Sequence, residues 1–213
     1  MYNNFLIMYD SDVSEQEERM IEVSLNEAIN LFPNLNILLM QPNDGENFVM
    51  ADEAIKKARI SADGAVNAAD VLRTISIGAT GGYAMLFLTK KLYALPKDLG
   101  LGQEVPSEIT DVSSENAFVY DIGGLRGVLE LDDRMYMMNH MVSNAIAHIV
   151  FDLKPECKNP DCMMFNGTKS SLDVLKLARR ENHDGQRLCE KCREKALKKI
   201  PYYERKQSLI TVI

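Results

Sequence analysis

Short apolar runs alternate with longer amphipathic segments through the first half of the chain. The runs at residues 5–9, 35–40 and 83–89 have the length of buried strands, and polar residues follow each of them. Between the first two runs, apolar residues recur at helical spacing. Ser14 and Glu17 form a capping box at the start of that segment, which therefore predicts an α-helix joining two strands.

The next part of the chain predicts a helix, a loop and a strand pair. Residues 51–74 have helical character with a break at Asp63-Gly64. Residues 96–114 contain Gly, Pro and acidic side chains, which are typical of a loop. Residues 117–120 and 127–131 are apolar runs on either side of a Gly-Gly pair, so we expect a hairpin there.

The last third of the chain is predicted to be helical. Asp132 and Asp133 suit the positive end of a helix that continues to Phe151. Residues 172–180 and 188–200 predict two further helices. The alternation of strands and helices predicts an α/β fold, with a twisted mixed sheet flanked by helices and a small C-terminal subdomain.

Composition narrows the class of protein. The chain has 213 residues, of which 46% are hydrophobic and 26% charged, as in a soluble globular protein with one core. No apolar run approaches the roughly 20 residues that a membrane-spanning helix needs. The first ten residues lack the basic start and long apolar stretch of a signal sequence. We therefore expect a cytoplasmic protein, in which clustered cysteines bind metal more often than they form disulfides.

Charge is distributed unevenly along the chain. The net charge is −7, yet residues 154–213 contain 14 Lys and Arg against 8 Asp and Glu. A basic end on an acidic body is typical of a nucleic-acid-binding patch. The alternative is that the lysines offset the negative charge of a thiolate-ligated metal and solvate a helix.

All four cysteines of the chain lie in that basic segment. They form a Cys-x4-Cys pair, Cys157 and Cys162, followed by a Cys-x-x-Cys pair, Cys189 and Cys192. Two closely spaced thiolate pairs are the ligand set of a structural, four-coordinate zinc site. Redox and iron–sulfur chemistry are the alternatives for such a set. Since four protein ligands leave no open position, we predict one structural zinc per chain.

The order of these features resembles the archaemetzincins, a family of metzincin-type zinc metalloproteases. The family pattern is His-Glu-x-x-His-x-x-Gly, then Cys-x4-Cys-x-Met, then Cys-x-x-Cys. Cys157, Cys162 and Met164 match the middle part, with Met164 at the position of the family's Met-turn, and Cys189 and Cys192 match the last part. The resemblance implies a metzincin-like fold with a zinc site at the four cysteines.

The catalytic part of the family pattern is degenerate in this chain. With His148 on the second histidine, Asn144 takes the place of the first histidine and Ala145 that of the catalytic glutamate. Phe151 replaces the glycine, and the third-ligand position falls near Lys154. Because a catalytic zinc needs three protein ligands, a water and a carboxylate base, the resemblance implies a peptidase scaffold with no catalytic residues.

Other residues near His148 offer only partial replacements. His140 and His148 share one helix face, but they lie about 12 Å apart along a straight helix and cannot bind one zinc together. Asp152 and Glu156 reach His148 only if the following loop folds back, and His183 is the remaining candidate for a second metal. The simpler interpretation is that the histidines are polar positions on a half-buried helix.

Three functions follow from these observations. The first is a pseudo-protease that keeps its structural zinc and binds or regulates an unknown protein or peptide partner. The second is a zinc metallopeptidase with a rearranged site, and the third a zinc-stabilised nucleic-acid- or protein-binding module. We expect no membrane partner. Residues 1–151 are predicted to form a metzincin-like subdomain including the former active-site helix, and residues 152–213 a zinc-knuckle subdomain.

Overall fold

The computed structural model describes residues 3–31, 37–40, 46–79, 82–95, 107–109, 111–154, 156–165, 171–184 and 187–199. The chain divides into two compact units. The first contains Met1–Glu15 and Ile37–Gly127, and the second contains Gln16–Asn36 and Val128–Ile213. The cysteine segment and the helix before it therefore belong to the same unit. The subdomain boundary predicted at residues 151 and 152 stays a prediction.

The first unit is built on a five-stranded sheet. Its strand order is β2-β1-β4-β8-β7, in which all neighbours are parallel except β7 and β8. These strands are β1 (Asn3–Tyr9), β2 (Ile37–Met40), β4 (Tyr83–Leu88), β7 (Asp111–Ser113) and β8 (Ala117–Asp121). A three-stranded sheet joins β3 (Val66–Asn67), β5 (Leu92–Ala94) and β6 (Ser107–Ile109) in that order.

Two helices cover the first unit's core. They are α2 (Glu46–Lys57) and α3 (Ala68–Gly78). Val71 of α3 packs in one fully buried cluster with Leu86 of β4 and Val119 of β8. The continuous apolar run of β4 follows from its central position, because a parallel strand with neighbours on both sides has two faces to bury. The mixed sheet with flanking helices confirms the predicted α/β fold class.

The second unit is helical. It contains nearly all of α1 (Glu15–Leu31), then α4 (Leu131–Phe151), α5 (Ser171–Asp184) and α6 (Glu190–Lys199). Helix α4 buries twelve of its residues and packs against both α5 and α6. It ends at Asp152, whose left-handed backbone (φ 52°) lets its N–H donate to the carbonyl of Ala147. No helix among the described residues is long and apolar enough to cross a membrane.

The structure differs from the sequence prediction around two turns. The hairpin predicted from residues 117–120 and 127–131 is wrong, because β8 leads into a 3-10 turn (Gly123–Gly127) and then α4. Leu129 is 90% exposed, so the second apolar run is not part of a buried strand. The helix predicted over residues 51–74 is instead α2 and α3, separated at the predicted break, where Gly64 adopts a positive φ of 84°.

Candidate metal centre

The four cysteines meet in the second unit. Their Sγ atoms all lie within 4.8 Å of one another, and the Sγ atoms of Cys157 and Cys189 are 3.6 Å apart. Cys162 is completely buried, Cys189 and Cys192 are buried, and Cys157 is half-buried. The sequence prediction that these four side chains form one group is confirmed.

The first cysteine pair lies on a tight loop, residues 157–165. The Cys157 N–H donates to the Met164 carbonyl at 2.9 Å, and the Phe165 N–H donates to the Cys162 carbonyl at 2.8 Å. Inside the loop, the Asp161 N–H donates to Oδ1 of Asn159 at 3.0 Å, an Asx-type turn. These bonds close the loop, and the sulfurs of Cys157 and Cys162 lie within 4.8 Å of each other.

The second pair lies at the start of α6. The Cys189 N–H donates to Sγ of Cys162 at 3.4 Å, and the Arg193 N–H donates to the Cys189 carbonyl at 2.9 Å. The Met163 N–H donates to the Arg187 carbonyl at 2.7 Å, which ties the two segments together. The N–H groups at the beginning of a helix favour negative charge, so this position stabilises thiolates.

The sulfurs differ in acidity in the metal-free cluster. Burial raises the pKa of the Cys162 thiol to about 11 and also raises the pKa of the Cys192 thiol. Burial acts in the same direction at Cys189, but hydrogen bonds from the Cys192 backbone and from the other thiols outweigh it and lower the pKa of Cys189. At neutral pH a metal therefore has to displace protons from Cys162 and Cys192 when it binds.

The donor set fits zinc. Zn–S bonds of about 2.3 Å in a tetrahedron place the sulfurs about 3.8 Å apart, so no pair has to approach by more than about 1 Å. Four thiolates complete the coordination, which makes this the structural rather than the catalytic type of site. Within the described part of the chain, no other group of three or more His, Cys, Asp or Glu side chains is close enough to hold a metal.

The degenerate positions of the family pattern have structural contacts instead. The Asn144 amide donates to the Met163 carbonyl at 2.8 Å and lies 3.8 Å from Sδ of Met164. Ala145 and Met164 are completely buried, and Phe151 is also part of the core. Asn144 therefore connects α4 to the first cysteine loop.

His148 is held by the loop that follows its own helix. Its Nδ1 lies 3.0 Å from the Leu153 carbonyl oxygen. Because a carbonyl oxygen can accept a hydrogen bond but cannot donate one, Nδ1 is the donor. Lys154 is exposed. Among the described residues, His148 does not form a metal-binding group with any of the other candidates for a second metal, which are Asp152, Glu156 and His183.

A buried contact between a histidine and a carboxylate, not predicted from the sequence, links α4 to α5. Nδ1 of His140 lies 3.0 Å from both carboxylate oxygens of Glu181, and the two side chains are 8% and 3% exposed. Next to it, Arg187 donates to Ser143 Oγ at 2.8 Å. The signal for this cluster is the run of polar residues on the inner face of α4, since buried polar groups require partners.

Comparison with solved structures places this arrangement in a known fold. The 1.5 Å crystal structure of archaemetzincin from Methanopyrus kandleri is similar to this chain, with a TM-score of 0.61 and 14% sequence identity. The similarity covers 93% of this chain and 95% of that chain. At this identity the likeness establishes the fold alone, and it confirms the fold that the sequence resemblance predicted.

Sequence comparisons add no further relative. No model of a protein family matches the chain, and no curated protein matches it either.

Proposed function

We propose that this protein is a zinc-stabilised, archaemetzincin-like pseudo-protease that binds a protein or peptide and does not cleave it. The observation that carries the proposal is the hydrogen bond from Asn144 to the Met163 carbonyl. Asn144 stands at the position where the resemblance expects the first histidine ligand. Its amide nitrogen is engaged in fastening α4 to the first cysteine loop, and an amide nitrogen has no lone pair to offer a metal.

The neighbouring positions support the same proposal. Ala145, completely buried, has no group that accepts a proton from a zinc-bound water. Lys154, near the third-ligand position, brings an ammonium group that repels a metal cation. One histidine remains of the three ligands and base that zinc-dependent hydrolysis requires. Four thiolates, in contrast, form a complete ligand set a few residues away.

The zinc of the four-cysteine site has a structural role in this proposal. The site joins the loop at residues 157–165 to the start of α6. Of the backbone hydrogen bonds among the described residues, the one from Met163 to Arg187 also connects the loop to the chain just before α6. Because four reduced thiols must persist until metal binds, we place the protein in the cytoplasm, where thiols are kept reduced.

A peptidase assay tests the absence of catalysis. Zinc-loaded protein is incubated with a mixture of unstructured, fluorescence-quenched peptides, alongside His148→Ala and an Asn182→Ala control at the exposed end of α5. We expect all three proteins to show the hydrolysis rate of the buffer blank. Hydrolysis that is lost in His148→Ala, kept in Asn182→Ala and abolished by a chelator would contradict the proposal.

One observation favours a second function, that of a zinc metallopeptidase with a rearranged site. Nδ1 of His148 donates to the Leu153 carbonyl, and metal-binding histidines commonly donate from their other nitrogen to a carbonyl in this way. The same contact is expected of a histidine that only caps its own helix end. The assay above separates the two functions.

A further inference from the structure

The four-cysteine site faces a cavity on one side, called the open side below, and the protein core on the other. A cavity of about 720 Å³ borders it, and Cys157, Cys189 and Cys192 line that cavity. Cys162 is not among the lining residues and is completely buried. A small molecule entering the cavity therefore meets three of the four cysteines, of which Cys157 is the most exposed.

The cavity is also rich in ammonium groups. Four lysines line it: Lys154, Lys158, Lys191 and Lys195. Three carboxylates, those of Asp152, Glu156 and Glu190, share the lining. With zinc bound, the four thiolates and the metal carry a net charge of −2, which the lysines partly offset. The charged side chains of the lining sum to +1, so they offset only half of the negative charge of the site, and it is the partial exposure of Cys157 that opens a thiolate to an oxidant.

Cys157 and Cys189 are a close pair of sulfurs on the open side. Both residues line the cavity, their Sγ atoms lie 3.6 Å apart, and a disulfide requires about 2.05 Å. Cys157 is the most exposed of the four cysteines and is followed directly by Lys158. Cys189 is 32 residues away in the sequence, so a bond between the two would connect the first cysteine loop to the start of α6.

We propose that Cys157 and Cys189 form a peroxide-reactive pair, so that oxidation to a disulfide releases the zinc. This inference rests on the structural zinc of the proposed function. The Cys157 thiolate attacks one oxygen of hydrogen peroxide, the O–O bond breaks, and a sulfenic acid forms while the leaving hydroxide takes up a proton to become water. The Cys189 thiolate then attacks the sulfenic sulfur and displaces its hydroxide, which also takes up a proton.

The overall step is balanced for hydrogen peroxide. Two thiolates, one peroxide and two protons from solvent give one disulfide and two waters, so the two sulfurs are oxidised and the peroxide is reduced. Cys162 and Cys192 are the thiolates that remain for the metal, and two ligands hold zinc far more weakly than four. A thiol reductant restores the original four thiolates.

The test uses the full-length protein loaded with zinc under anaerobic conditions. Zinc content is measured first and must be one per chain; no zinc at this stage would overturn both the proposed function and this inference. Hydrogen peroxide is then added, released zinc is followed with a chromogenic chelator, and disulfides are mapped by mass spectrometry. We expect one zinc released per Cys157–Cys189 disulfide, with rebinding after reduction. Zinc retained at a peroxide concentration that oxidises the urea-unfolded protein would overturn this inference alone, as would a predominant disulfide other than Cys157–Cys189.

Charge-reversal variants test the role of the cavity without touching a ligand. The double variant Lys158→Glu, Lys195→Glu is compared with Lys176→Glu, an exposed lysine of α5 that does not line the cavity. We expect the double variant to hold one zinc and to release it about fivefold more slowly under peroxide, because the thiolates lose nearby positive charge. Equal rates in the double variant and Lys176→Glu would contradict this role of the cavity.

Discussion

At the residue scale, the cysteines could be assigned from the sequence, whereas the contact of Asn144 could not. Cys162 and Cys192, both buried, belong to a ligand set whose spacing alone predicted a zinc site. The function of Asn144 was not predictable from the sequence, since its partner is a backbone carbonyl 19 residues away that depends on how the cysteine loop folds. The close spacing of cysteines along the chain predicts which of them bind a metal. Hydrogen bonds between distant residues, in contrast, depend on the tertiary structure.

Removing the Asn144 amide should lower stability and leave the metal in place. In Asn144→Ala the carbonyl of Met163, a residue that is 1% exposed, loses its donor, so we expect the free energy of unfolding to fall by about 1–3 kcal/mol. Urea denaturation measures the loss, and Asn182→Ala on the exposed face of α5 is the matched control. A drop in zinc content with unchanged stability would indicate that Asn144 serves a metal.

At the element scale, the sequence predicted long apolar elements better than short polar ones. Strand β4 was recognisable from six apolar residues in succession, five of them buried. Strands β6 and β7 were missed within a predicted loop, because three residues such as Ser-Glu-Ile carry no periodic signal. Helix α5 continues beyond its predicted end because Glu181 is buried against His140, a contact that the exposed-looking sequence does not reveal.

A second contact between α4 and α5, the ion pair of Asp133 and Arg179, should make stability depend on pH. Hydrogen bonds from Arg179 lower the pKa of Asp133, with donor–acceptor distances of 2.7 and 2.5 Å. The pKa of Asp133 is lower in the folded protein than in the unfolded chain. The stabilisation by this ion pair is therefore complete above the unfolded pKa of about 3.9, and it is lost as pH falls through the folded pKa.

Substituting the arginine tests this dependence. We expect Arg179→Ala to be less stable than the wild type at pH 7 and equally stable below the folded pKa of Asp133, as measured by urea denaturation at both pH values. Lys176→Ala, one turn earlier on α5, is the control and should match the wild type throughout. A stability difference that persists unchanged at the low pH would mean that Arg179 acts through packing rather than charge.

Zinc removal should loosen one part of the chain before the rest. Metal binding and folding are coupled in small zinc sites by about 10–16 kcal/mol, but the sheet of the first unit has a large core of its own. We therefore expect chelation to reduce hydrogen-exchange protection at residues 156–165 and in α6 while β1, β4 and β8 stay protected. Unchanged protection in the cysteine segment after chelation would contradict a structural role for the metal.

At the scale of the whole molecule, the chain has a known fold with a very different sequence. The similarity to archaemetzincin extends over 93% of the chain, although only 14% of the residues are identical. The fold was predictable because the cysteine pattern and the alternation of strands and helices both survive in the sequence. The grouping of α1 with the C-terminal helices was not predictable, because it joins segments about 100 residues apart.

The number of zinc ions per chain tests whether the protein holds one structural zinc at its four cysteines. Purified protein is dialysed against zinc, freed of excess metal and analysed by mass spectrometry for zinc per chain, together with Cys189→Ala and His148→Ala. A single structural zinc at the four cysteines predicts one zinc in the wild type, one in His148→Ala and none in Cys189→Ala. Two zinc ions in the wild type, one of them lost in His148→Ala, would contradict the account.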